Sequence, residues 1–124
     1  MELDGKLRQL LIEDYIWVLY VGIILLSWYS NSLERKYYVN NDLEAKDKYR
    51  NILIVIFSIL LLVYFYFLES AFEDVKNLKS SDSDERKRLV LISFFGSLCV
   101  FISGVVFLYV AITDHDLDVE LAFN

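Results

Sequence analysis

Ile52-Leu53-Ile54-Val55-Ile56-Phe57-Ser58-Ile59-Leu60-Leu61-Leu62-Val63-Tyr64-Phe65-Tyr66-Phe67-Leu68 is the stretch on which the fold turns. Only Ser58, Tyr64 and Tyr66 interrupt it; the other 14 of its 17 residues are Ile, Leu, Val or Phe. A helix on the surface of a soluble bundle carries one apolar stripe and a polar face, and this segment has no polar face. A strand would show alternation and bounding turn residues, and neither is present. At about −0.3 to −0.6 kcal/mol per residue near a bilayer centre, these side chains favour insertion by roughly 4 to 8 kcal/mol, as an upper bound.

Outward from this stretch, charge is confined to separate segments. No charged residue occurs from Tyr15 to Leu33, from Asn51 to Leu68, or from Leu89 to Thr113, runs of 19, 18 and 25 residues. A hydrocarbon core of roughly 30 Å is crossed by about 20 helical residues, with a range of about 17 to 25. The whole chain is 124 residues, 56 % hydrophobic and 24 % charged, with no proline and a single cysteine. It is too apolar for disorder and too poor in cysteine for a disulfide scaffold. A soluble protein of this size cannot bury three helices that are apolar on every side. The expected fold is all-α: an integral membrane three-helix bundle with spans of approximately 15–33, 51–68 and 89–113. The four remaining pieces are each too short to fold alone, so residues 1–124 read as one three-pass membrane domain without a soluble domain.

The first span is the weakest, and a cleaved signal peptide is its competing account. Glu2, Asp4, Glu13 and Asp14 precede it against Lys6 and Arg8, whereas a signal peptide begins basic. The connectors read as helix extensions. Leu3, Leu7, Leu10 and Leu11 predict a short amphipathic helix lying on the membrane surface before the first span. Asn41 with Glu44 resembles a capping arrangement, with a helix starting near Asp42. Apolar residues at 68, 71, 72, 75 and 78 continue the second helix beyond the membrane. Ser80 to Ser83 form a turn, and Asp82 with Glu85 opens the third helix.

Three crossings place residues before the first span and the second connector on one side. That side holds Lys6, Arg8, Lys76, Lys79, Arg86, Lys87 and Arg88; the other holds Arg35, Lys36, Lys46, Lys48 and Arg50. The positive-inside rule therefore favours a cytoplasmic N-terminus and an external C-terminus, by two charges. High Ile, Lys, Asn and Tyr usage points to an AT-rich bacterial genome and hence to a plasma membrane.

The formal charge of −6 argues against nucleic acid as a partner. No span has an ionisable residue other than tyrosine or cysteine at its centre, so proton relays and ion pathways lack their usual groups. One His and one Cys leave neither a His-rich zinc site nor a Cys–His pair in the bilayer. Asp114, Asp116 and Asp118 occupy positions 1, 3 and 5 of an EF-hand-like loop, but Val119 stands where glycine belongs. A solvated acidic tail is the favoured reading there, with strand addition to a partner sheet another. His115 beside two carboxylates reads as incidental rather than a pH sensor. Cys99 lies mid-span and reads as a small packing residue.

Ser93, Gly96, Ser97, Ser103 and Gly104 are small residues that let helix backbones approach closely. They mark either packing within the bundle or a seam for another helix. Glu13, Asp14, Glu69 and Glu73 fall at the same membrane surface as Arg86, Lys87 and Arg88 and are expected to pair. Tyr15, Trp17, Trp28, Tyr29, Tyr64, Tyr66 and Tyr109 are expected in interfacial belts. The expected function is that of a small non-enzymatic membrane protein, with neither cofactor nor metal, whose environment is the lipid bilayer. It would act through helix packing, as accessory or regulatory partner of another membrane protein or as a homo-oligomer. An oligomeric pore or small transporter, lined by Ser93, Ser97, Ser103 and tyrosines, is the rival.

Overall fold

A computed structural model describes residues 2–113. Among them the chain is all-α, with α1 (Glu2–Asn40), α2 (Leu43–Lys76) and α3 (Asp84–Thr113) and no strand. The helices contain 39, 34 and 30 residues, or about 58, 51 and 45 Å at 1.5 Å per residue. Each is long and apolar enough to cross a membrane and each outlasts a hydrocarbon core of roughly 30 Å.

The chain divides into two compact units, Met1–Ile56 and Phe57–Asn124, so that α2 belongs to both. In the first unit, the least exposed positions of α1 include Glu13, Ile16, Tyr20, Ile23, Ser27, Ser30, Glu34 and Tyr37. They recur at alternating steps of three and four residues, the spacing that keeps one seam of a helix turned inward. On α2 the buried residues of this unit are Ala45, Tyr49, Leu53 and Ile56. Ser27 and Ser30 are buried within a charge-free run; their small side chains suit the close backbone approach that helices make in lipid.

Two residues, Asn41 and Asp42, make the turn between α1 and α2. Asn41 takes a left-handed conformation at φ 53°, which asparagine tolerates better than branched residues. Asp42 is the N-cap of α2: its Oδ1 accepts from the backbone N–H of Glu44 at 3.1 Å and of Ala45 at 3.2 Å. The cap is thus Asp42 and not Asn41, because the residue entering the helix needs an extended backbone and Asn41 is already committed to reversing the chain.

In the second unit α2 and α3 run antiparallel, held by ring contacts at successive levels. Phe72 meets Phe94 at 5.8 Å, Phe65 meets Phe101 at 5.9 Å, and Phe57 stacks on Phe107 at 5.8 Å. The inward seam of α3 again steps by three and four, through Lys87, Val90, Phe94, Ser97, Phe101, Gly104, Leu108 and Ala111. Ser83 caps α3, its Oγ accepting from the Arg86 N–H at 3.1 Å. Asp82 was expected in that role. It instead closes the preceding turn, its Oδ2 accepting from the Lys79 N–H at 2.7 Å, and its Oδ1 lies 3.8 Å from Arg86 Nε.

One further expectation changes. α1 is one helix from Glu2 onward, so Leu3, Leu7, Leu10 and Leu11 continue the spanning helix rather than forming a separate surface helix. No proline intervenes, and Gly5 alone is a weak interruption of a helix. α2 does continue past Leu68, as far as Lys76; of the apolar residues expected in that extension only Leu78 falls outside, its N–H bonding the Val75 carbonyl at 3.2 Å in a tighter closing turn.

Candidate functional site

Two surfaces carry the residues of interest, one in each unit. In the second unit, the small residues of α3 differ in exposure. Gly104 is buried, and a Cβ added there would meet Tyr64 Cδ2 at 3.0 Å and Leu61 Cδ1 at 3.2 Å. Ser97 lies on the same inward seam, half-buried. Ser93, Gly96 and Ser103 are exposed, and nothing lies within 4 Å of a Cβ placed on Gly96. Ser103 Oγ donates to the Cys99 carbonyl one turn back, at 3.0 Å, so its hydroxyl is satisfied within its own helix. Cys99 is an exposed free thiol on this outer face. The five small residues thus do not form one seam: two pack inward and three face out.

The charged residues of this end pair locally. Glu73 lies 3.4 Å from Lys76, Arg86 lies 3.8 Å from Asp82, and Lys87 Nζ donates to the Ser80 carbonyl at 3.4 Å. Glu69 and Arg88 are exposed. In the first unit Glu13 is half-buried on the inward seam of α1 and Asp14 is exposed. The partners seen for Glu73 and Arg86 are three or four residues away in sequence, where a short reach loses little side-chain entropy.

The second surface, at the turn of the first unit, was not anticipated from sequence. Lys46 Nζ sits 5.2 Å over the Tyr37 ring, whose centroid lies 5.3 Å from Tyr38 and 6.5 Å from Tyr49. Tyr49 is almost fully buried. Burial, and then the neighbouring Glu34 carboxylate and Tyr37, push its phenol above the usual tyrosine value. The phenol therefore stays protonated across the physiological range. One signal in the sequence does point here: Glu34 and Tyr37 precede the Asn41-Asp42 turn by about as much as Lys46 and Tyr49 follow it, as an antiparallel hairpin requires.

Aromatics divide in the same way. Tyr15, Trp17, Trp28, Tyr29 and Tyr109 are exposed, whereas Tyr64 is half-buried against Gly104 and acts in packing between α2 and α3. Tyr66 is half-buried and stacks edge-on with Phe67 at 5.5 Å. Among the described residues, no three His, Cys, Asp or Glu side chains gather in a way that could hold a metal ion. Asp114, Asp116 and Asp118, with His115, lie outside the described residues.

Within the apolar stretch of α3 only 6 % is buried, and within that of α1 only 11 %. Aliphatic and aromatic side chains left open on this scale are stable where the surrounding medium is itself apolar. The fold and its surfaces define a membrane-embedded, multi-pass all-α protein. No family model, curated protein or solved structure matches the chain.

Proposed function

We propose that this protein is non-enzymatic and acts by helix packing in the bilayer, as an accessory or regulatory partner of another membrane protein or as a homo-oligomer. The observation that carries the reading is the outer face of α3, where Gly96 has open space above it, Cys99 and Ser103 are exposed on the same side, and Ser93 is exposed about one turn earlier. A backbone free of bulk there admits close approach by a further helix, and close approach is what drives association among lipids. A pore is less well supported. Its proposed lining serines differ in exposure, Ser97 half-buried and Ser93 and Ser103 open, and the hydroxyl of Ser103 is already bonded within its own helix.

The reading extends to a bacterial plasma membrane with the N-terminus cytoplasmic, supported by residue usage and by the two-charge excess of Lys and Arg on that side. Cys99 provides the test. Mild oxidation of native membranes should trap a Cys99 disulfide, either as a homodimer or with a second membrane protein identifiable by mass spectrometry. Gly96→Leu should abolish the product. A chain that stays monomeric and uncrosslinked in its native membrane, with no co-purifying protein, would refute the reading.

A further inference from the structure

We infer that Arg35 and Lys36 form a docking point for the headgroup of an anionic phospholipid, at the end of α1 nearest the turn. The inference rests on the membrane reading and adds a lipid class and a location to it.

Five of the twelve Lys and Arg are seen engaged by the protein itself. Lys48 pairs with Glu44, Lys76 with Glu73 and Arg86 with Asp82; Lys87 bonds the Ser80 carbonyl and Lys46 covers Tyr37. Arg35 and Lys36 are exposed and, among the described residues, neither meets an acidic side chain. They follow the charge-free run that ends at Leu33, with Glu34, half-buried on the inward seam, between.

Their position on the helix decides what they face. Val21, Trp28 and Arg35 are seven residues apart and lie on one outward stripe, as do Tyr29 and Lys36. Trp28 is 72 % exposed, one of the most open large side chains of α1. A tryptophan in that setting belongs at the level of the lipid headgroups. Arg35 stands about 10 Å further along the axis. Side chains on a helix lean toward its N-terminus, which for Arg35 and Lys36 is the direction of the bilayer, so their charged ends reach back toward the phosphate layer above Trp28. Ser32, between them on the same side, leaves that path open because its hydroxyl turns in to the Trp28 carbonyl at 3.4 Å.

Position separates this pair from the remaining exposed cations: Lys79 lies past the end of α2, eleven residues beyond the run that closes at Leu68. Lys6, Arg8 and Arg88 precede their charge-free runs, so the same lean carries them away from the membrane. The net charge of −6 disfavours anionic lipid around the protein as a whole. A preference for such lipid must therefore come from a local site.

The test uses Trp28 as reporter in the W17F variant, reconstituted into phosphatidylcholine vesicles containing either brominated phosphatidylglycerol or brominated phosphatidylcholine. Brominated phosphatidylglycerol should quench Trp28 preferentially. The two cations together allow a relative affinity of up to about 25-fold at low salt, about fivefold from each. The preference should shrink as salt rises, disappear in W17F/R35Q/K36Q, and persist in W17F/K6Q/R8Q. Inorganic phosphate in the buffer should not remove it. Equal quenching by the two lipids, or a preference that survives R35Q/K36Q, overturns the headgroup site and leaves the membrane reading standing. Failure of both lipids to quench Trp28 overturns both.

Discussion

Tyr64 closes over Gly104: a Cβ on that glycine would lie 3.0 Å from Cδ2 of the ring. Glycine at this point of α3 is therefore set by the width of the space beside α2, and the left-handed backbone that often calls for glycine plays no part.

Gly104→Leu should be destabilising by about 1 to 3 kcal/mol, the usual range for overpacking a filled site. Gly96→Leu should change fold stability by no more than about 0.5 kcal/mol, because its added atoms enter open space. Reversible unfolding of both variants in mixed micelles provides the comparison. Equal losses would mean that Gly104 and Gly96 do not face differently.

At the first turn, Asp42→Ala removes the acceptor of two backbone N–H groups and should cost about 1 kcal/mol. Asn41→Val, forced to adopt φ 53° with a branched side chain, should cost about 1 to 2 kcal/mol. Asn41→Gly should be tolerated. The same unfolding measurement ranks the three.

Alkaline pH should weaken the first unit through Tyr49. Its folded pKa is raised by burial, Glu34 and Tyr37, so the unfolded chain releases the phenolic proton first. The stabilisation is therefore complete below about pH 10, the ordinary tyrosine value, and is lost as pH climbs through the folded value. Tyr49→Phe should remove this component of the alkaline fall. An unchanged alkaline profile in Tyr49→Phe would show that the phenol is not the titrating group.

Three crossings place the two turns on opposite sides of the membrane. In a Cys99→Ser background, Lys48→Cys and Lys79→Cys should react with a membrane-impermeant maleimide from opposite faces of sealed vesicles. Labelling of both from one face would contradict three crossings.

Much of this architecture is legible in the residues. The charge-free runs 15–33, 51–68 and 89–113 each fall inside one helix. Helix ends are harder to read, because Asn41, Asp42, Asp82 and Ser83 are all plausible caps by type. Only the backbone shows that Asn41 reverses the chain and that Asp82 closes a turn. The fusion of residues 2–14 to the first span was likewise hidden, since a leucine stripe looks the same on a separate helix as on a continuous one.

Composition along the chain determined how many helices cross and roughly where, since the cost of placing charge in hydrocarbon belongs to each residue and needs no partner. The rotation of each helix about its own axis came only with tertiary structure. A segment apolar on every side carries no phase in its pattern, so Ser97 and Gly104 were indistinguishable from Ser93, Gly96 and Ser103 until packing chose the inward seam. The turn cluster of Glu34, Tyr37, Lys46 and Tyr49 depended on that choice as well, because its members come together only when two helices fold back on each other.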